Sequence, residues 1–175
     1  LREFTLEVSI APNGPLVGKT IEQAGLRHLQ RVYLIEIDRN GTAITVVSPE
    51  EVLQGGDRLV FAGDTDAISD LMRINGIIPS TEEEQTQTFT MQHAERRLIE
   101  AVVSPHCSAL GHAIRDARFR ARYGAAVLAV ARNGERIKGN LGSIILQAGD
   151  TLLLEARPAF VSRQRYNKDF LLIND

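Results

Sequence analysis

Leu53-Gln54-Gly55-Gly56-Asp57-Arg58-Leu59-Val60-Phe61 returns further along the chain as Leu146-Gln147-Ala148-Gly149-Asp150-Thr151-Leu152-Leu153-Leu154. Each version reads as a glycine turn feeding an aliphatic strand. The separation is 93 positions (146 − 53), and the same shift superimposes residues 6–63 on 99–156 without a gap. Fifteen of those 58 pairs are identical, among them Pro12/Pro105, Gly18/Gly111, Ile21/Ile114, Arg27/Arg120, Arg39/Arg132, Asn40/Asn133, Gly41/Gly134, Gly56/Gly149 and Asp57/Asp150. A fixed-period self-match marks duplicated supersecondary units, and two copies are too few for an extended solenoid.

Working outward, each copy opens on an extended segment, Phe4 to Ile10 or Leu98 to Val103, that ends at Ala11-Pro12 or Ser104-Pro105. Gly18 and Gly111 approach a short helix, patterned on Ile21, Ala24 and Leu29 after Thr20 and on Ile114, Ala117 and Phe119 in the second copy. Two β segments follow, Val32 to Ile37 and Ala43 to Val47 in the first copy, joined by Arg39-Asn40-Gly41; the second has Ala126 to Ala131 before Arg132-Asn133-Gly134. Asn-Gly between apolar runs signals a hairpin, because both residues tolerate positive φ. After the last strand the copies diverge. The first predicts a helix from Asp64 to before Gly76, while the second turns through Pro158 into the basic stretch of Arg163, Arg165 and Lys168. The spacing predicts an α+β chain of modules at 1–76 and 96–160, a polar linker at 77–95 holding Glu82-Glu83-Glu84, and a tail at 161–175. Each module is expected to pack one or two helices on a mixed or antiparallel sheet. Modules this small bury little apolar surface alone, so the copies are expected to pair about a pseudo-twofold.

Composition narrows the function. Twenty Lys and Arg against 22 Asp and Glu leave a net charge of −2, which offers no chain-wide attraction to nucleic acid. Cys107 is the only cysteine, which rules out an intrachain disulfide and a multi-thiolate metal site, and fits a reducing compartment. The longest apolar run, Ala125 to Ala131, is far short of the ~20 residues a membrane-spanning helix needs. The start at Leu1, without an initiator methionine, reads as a piece of a longer protein.

The pattern Pro-x-x-x-x-x-Gly-x-x-x-Ile, an aliphatic strand, Arg-Asn-Gly and Leu-Gln-x-Gly-Asp, present in both copies, resembles the TrkA C-terminal family, also called the C-terminal domain of regulators of potassium conductance. Tandem copies are similar to the cytosolic insert of bacterial sodium/sulfate or dicarboxylate-type symporters, and Arg165-Tyr166-Asn167-Lys168-Asp169-Phe170 resembles the juxtamembrane stretch of such permeases. The resemblance implies a regulatory, dimerising module of a cation-coupled transporter, attached to its membrane segments on the cytoplasmic face. It also implies a small anionic effector such as a cyclic dinucleotide. The alternative is an effector-binding domain of a potassium-channel subunit or transcription regulator. The glycine-rich loop of the family's companion nucleotide-binding domain is absent, so no cofactor is expected.

No constellation for catalysis or metal binding is legible. His106 and Cys107 are chain neighbours whose side chains point apart, and His28, His93, His106 and His112 are scattered without an i,i+4 pair. The chain is therefore read as no enzyme. Gly18, Asn40, Gly41, Gly56, Gly111, Asn133, Gly134 and Gly149 are read as backbone turns, and Asp57 and Asp150 as turn residues bonding their own backbone. Arg27, Arg39, Arg120 and Arg132 are the candidate ligand contacts, because a guanidinium fork can clamp phosphate or carboxylate and a paired repeat brings equivalent cations into one cleft.

Overall fold

The computed structural model describes residues 3–81, 97–137, 140–160 and 168–174. The chain divides into two units, Leu1–Ala94 and Glu95–Asp175, each built on a five-stranded antiparallel sheet. In the first unit β1 (Glu3–Ile10), β2 (Val32–Arg39), β3 (Thr42–Ile44), β4 (Arg58–Asp64) and β5 (Ile77–Pro79) are ordered β3-β2-β4-β1-β5. Phe4, Leu6, Val8 and Ile10 alternate along β1 and are all buried, as a strand with one face on a core requires. Arg39 faces Thr42 in the β2–β3 register, so Asn40 and Gly41 alone make the turn, both at positive φ (53° and 79°). That pair of signs is the hairpin turn whose twist matches the strands. Helix α1 (Thr65–Met72) starts where the Asp64 side chain accepts the Ala67 N–H, and it buries Ala67, Ile68, Leu71 and Met72 on one face.

The second unit repeats the plan. Strands β6 (Arg97–Val103), β7 (Ala125–Arg132), β8 (Glu135–Arg136), β9 (Thr151–Ala156) and β10 (Phe170–Asn174) are ordered β8-β7-β9-β6-β10. Helices α2 (Ile114–Ala117) and α3 (Phe119–Tyr123) cover one face and close a core with Ile99, Val127, Leu152, Leu154, Phe160 and Phe170. The 93-residue period governs geometry beyond the reach of sequence identity. Ile10 pairs with Ile77 and Val103 with Phe170, so 103 − 10 and 170 − 77 give the same shift. The register irregularities at Leu34/Glu36 and Val127/Ala129 obey it too.

Four expectations change. The segment given to the linker from 77 begins instead with β5, which hydrogen-bonds to β1, and the tail given as 161–175 contains β10, which pairs with β6. Both are edge strands, and a three-residue Ile-Ile-Pro run has too little periodicity to announce itself. The remainder of the linker, 82–96, and residues 161–167 lie outside the described residues. The helix expected after Thr20 is a set of turns. Thr20 and Gln23 cap each other reciprocally and Ala24 N–H reaches Thr20 O at 2.9 Å, but Gly25 at φ 75° ends the coil after that turn. At the equivalent position (118 − 93 = 25) Arg118, at φ 53°, separates α2 from α3. The strand expected to run from Ala43 to Val47 stops at Ile44.

Candidate functional site

Both units share an arginine–aspartate clamp, at the start of β4 in the first and of β9 in the second. Arg39 Nε donates to Asp57 Oδ1 at 2.9 Å and Nη2 to Oδ2 at 2.8 Å, with a further bond from Nη2 to Val52 O at 2.9 Å. Arg132 repeats this with Nε to Asp150 Oδ1 at 2.7 Å, Nη2 to Oδ2 at 2.9 Å and Nη2 to Ile145 O at 3.0 Å. The aspartates also accept the Gln54 and Gln147 N–H groups, each at 2.9 Å. The carboxylates are buried, Asp57 at 2% and Asp150 at 0% exposure, so nearly all their solvation comes from these donors. The same bonds hold the Arg39 and Arg132 guanidinium groups above their ordinary range, ahead of the opposing effect of burial. Arg39 alone adds Glu51, at 3.3 Å, because the equivalent residue in the second unit is Ile144.

The four candidate arginines therefore part company. Arg39 and Arg132 are committed to carboxylates within their own units. Arg27 is exposed on the turns after Thr20. Arg120, on α3, is half-buried; burial brings its guanidinium down to about 10, against the raising effect of Glu155. Gly18, Gly56, Gly111 and Gly149 have φ of 86°, 83°, 79° and 90°, and Asn133 and Gly134 make the second hairpin turn at 57° and 79°. The Arg–Asp pairing had a signal in the sequence: both residues are identical in both copies and 18 apart in each (57 − 39 and 150 − 132).

A second polar cluster belongs to one unit only. Tyr123 Oη donates to Asp169 Oδ2 at 2.6 Å, Ser108 Oγ reaches the same oxygen at 3.1 Å, and Arg122 Nη1 donates to Ser108 Oγ at 3.4 Å. Burial, and then the bond to Asp169, push the Tyr123 phenol above its usual value. Cys107 lies beneath, 4.0 Å from Tyr123 Oη, with its thiol pushed up by burial. At the positions of Ser108 and Asp169 the first unit has Pro15 and Gly76, so this cluster has no counterpart in the repeat. Among the described residues no group of three or more His, Cys, Asp or Glu is placed to hold a metal ion. No helix among them is long and apolar enough to cross a membrane.

A tandem of antiparallel α+β units, each locked by an Arg–Asp clamp between its hairpin turn and the start of β4 or β9, defines the class. The chain belongs to the TrkA-C domain family, whose model matches residues 5–76 and 98–163. It is 37% identical over 99% of its length to a Chlamydomonas reinhardtii protein assigned as a sulfur deprivation response regulator, of which it spans 31%. It is 32% identical over 98% of its length to sodium/sulfate cotransporter 1 of the same organism, of which it spans 20%. The chain thus covers a third or less of the length of these relatives. Among solved structures it is similar to the RCK_C domain dimer of S. agalactiae BusR in complex with c-di-AMP, at 24% identity and TM-score 0.35, covering 39% of this chain and 90% of that one.

Proposed function

We propose that this chain is a non-catalytic regulatory and dimerisation module of a cation-coupled membrane transporter, held on the cytoplasmic face beside the transporter's membrane segments. One observation carries the reading: the similarity to sodium/sulfate cotransporters runs over nearly the whole chain yet covers only a fifth of those proteins. That is the footprint expected of an inserted or appended module, with the transport path elsewhere. An Arg–Asp clamp closed within each unit suits a body that shifts as a whole and biases its neighbours by differential binding of a ligand.

Within this reading the ligand is a small anion such as a cyclic dinucleotide. The arginine set narrows to exposed Arg27, because the forks of Arg39 and Arg132 are filled by Asp57 and Asp150 and Arg120 is half-buried with Glu155 acting on it. The test is sodium-dependent sulfate uptake by cells carrying the full-length protein with and without residues 1–175. The deletion is expected to leave the protein in the membrane and to abolish the response of uptake to sulfur supply. A full-length protein with no membrane spans, or a deletion with unaltered uptake and response, defeats the proposal. Calorimetry with cyclic dinucleotides then tests the effector, with Arg27→Ala expected to weaken any heat observed.

A further inference from the structure

The net charge of −2 conceals an opposition between the two units. Residues 1–94 hold 7 Lys and Arg against 14 Asp and Glu, and residues 95–175 hold 13 against 8, giving −7 and +5. Such a division of sign within one chain points to a surface that faces a polyanion. The positive excess concentrates on α2 and α3, where Arg115, Arg118, Arg120 and Arg122 lie within ten residues (114–123) and Asp116 is the one acid. The equivalent stretch of the first unit, residues 21–30, has only Arg27 and carries Glu22. The fold therefore forms without these arginines.

Arg115, Arg118 and Arg122 are exposed. Arg122 reaches Ser108 Oγ, which in turn bonds Asp169, and exposed Lys168 immediately precedes it, so α3 and the approach to β10 form one basic region. The Asp169 carboxylate inside that region is engaged by Tyr123 and Ser108. Arg118 is the telling residue. It sits in the left-handed conformation (φ 53°, ψ 54°) at the position where the first unit has Gly25. A side chain kept where glycine would remove the strain serves something besides folding.

We propose that the arginine-bearing surface of α2 and α3 docks on anionic lipid headgroups. The proposal rests on the transporter reading for the source of the polyanion, since a module carried by a membrane protein stays within reach of the bilayer surface. Three exposed arginines within eight residues, Arg115 to Arg122, concentrate positive charge suited to a headgroup surface, and each adds roughly fivefold to the partition onto an acidic surface.

The experiment is co-sedimentation of the chain with phosphatidylcholine vesicles, with and without phosphatidylglycerol, at low and high salt. Binding is expected only to the acidic vesicles, and it should fade with salt. The triple variant Arg115→Gln/Arg118→Gln/Arg122→Gln should lose about a hundredfold in partition, three fivefold steps multiplied. Arg118→Gly guards against misfolding: it should melt no lower than the parent and still bind roughly fivefold more weakly. The proposal fails if the triple variant binds like the parent, or if neutral vesicles bind equally well. It fails too if soluble glycerol phosphate displaces the chain at one-to-one stoichiometry, or if duplex DNA binds more tightly than the vesicles and equally well to the triple variant. The uptake experiment addresses the transporter reading and the vesicles address this surface, so either can fail alone.

Discussion

Asp150 shows how a single buried charge can decide whether a unit folds. With 0% exposure, it depends on Arg132 and the Gln147 N–H for what water would otherwise supply. Arg132→Ala leaves that carboxylate buried and unpaired, which typically costs about 3 to 5 kcal/mol. Denaturant melts should show this as a loss of stability that Arg132→Ala/Asp150→Ala partly restores. If the double variant is as unstable as the sum of the singles, the clamp is not the reason. Tyr123 gives a pH signature instead. Its folded pKa is raised above the unfolded value of 10.0 by burial and by the bond to Asp169. The native state therefore holds the phenol proton where the unfolded chain has released it. This contribution is complete below pH 10 and is lost as pH climbs through the folded pKa. Tyr123→Phe should lose about 1 to 2 kcal/mol at neutral pH and show a flatter alkaline limb in stability, measured by denaturant titration at stepped pH.

At the scale of elements, the turn into β4 and its counterpart into β9 make the clearest test. An added Cβ at Gly56 or Gly149 would meet nothing within 4 Å, so any penalty there comes from backbone conformation and none from crowding. At φ 83° and 90° a β-branched residue is strongly disfavoured, and Gly56→Val or Gly149→Val should lose at least ~1 to 2 kcal/mol. Gly55 is the contrasting neighbour: its Cβ would lie 2.7 Å from Pro12 O, so Gly55→Ala acts through collision. The same distinction explains what was legible beforehand. Turns and hairpins stood out because Gly or Asn holds positive φ at Gly18, Asn40, Gly41 and Gly56 and again 93 residues on, whereas Gly25 and Gly124 are each matched by an arginine in the other copy. β5 and β10 escaped notice because an edge strand needs only one neighbour and a few aliphatic residues, and Ile77–Pro79 and Phe170–Asn174 share no residue type at matched positions. The arginines of the clamp were legible as anion-binding groups. Their carboxylate partners were legible only as turn residues, because the register that brings 39 to 57 is a tertiary fact.

For the whole molecule, opposite net charges on the two units matter more than their near-cancelling sum. Chains with a −7 end and a +5 end attract one another at low ionic strength, and the attraction is largely screened once the Debye length falls to about 10 Å near 0.1 M salt. Sedimentation should therefore give a higher average mass at low salt than at high salt. A mass unaffected by salt would place any self-association on apolar contacts instead.

The edge position of β5 and β10 also sets an order of events during synthesis. Each sheet receives its outermost strand last, after every other strand of that unit has emerged, so β1 and β6 wait across some 67 residues (77 − 10 and 170 − 103) for their final partner. Ribosomes add roughly 5 to 20 residues per second, so the first unit has on the order of 5 to 20 s to close before the second can. During that interval the unfinished β6 edge is an open template for any passing strand. A stalled or truncated message ending before Phe170 would release that exposed edge, and such products should be the ones that chaperones bind.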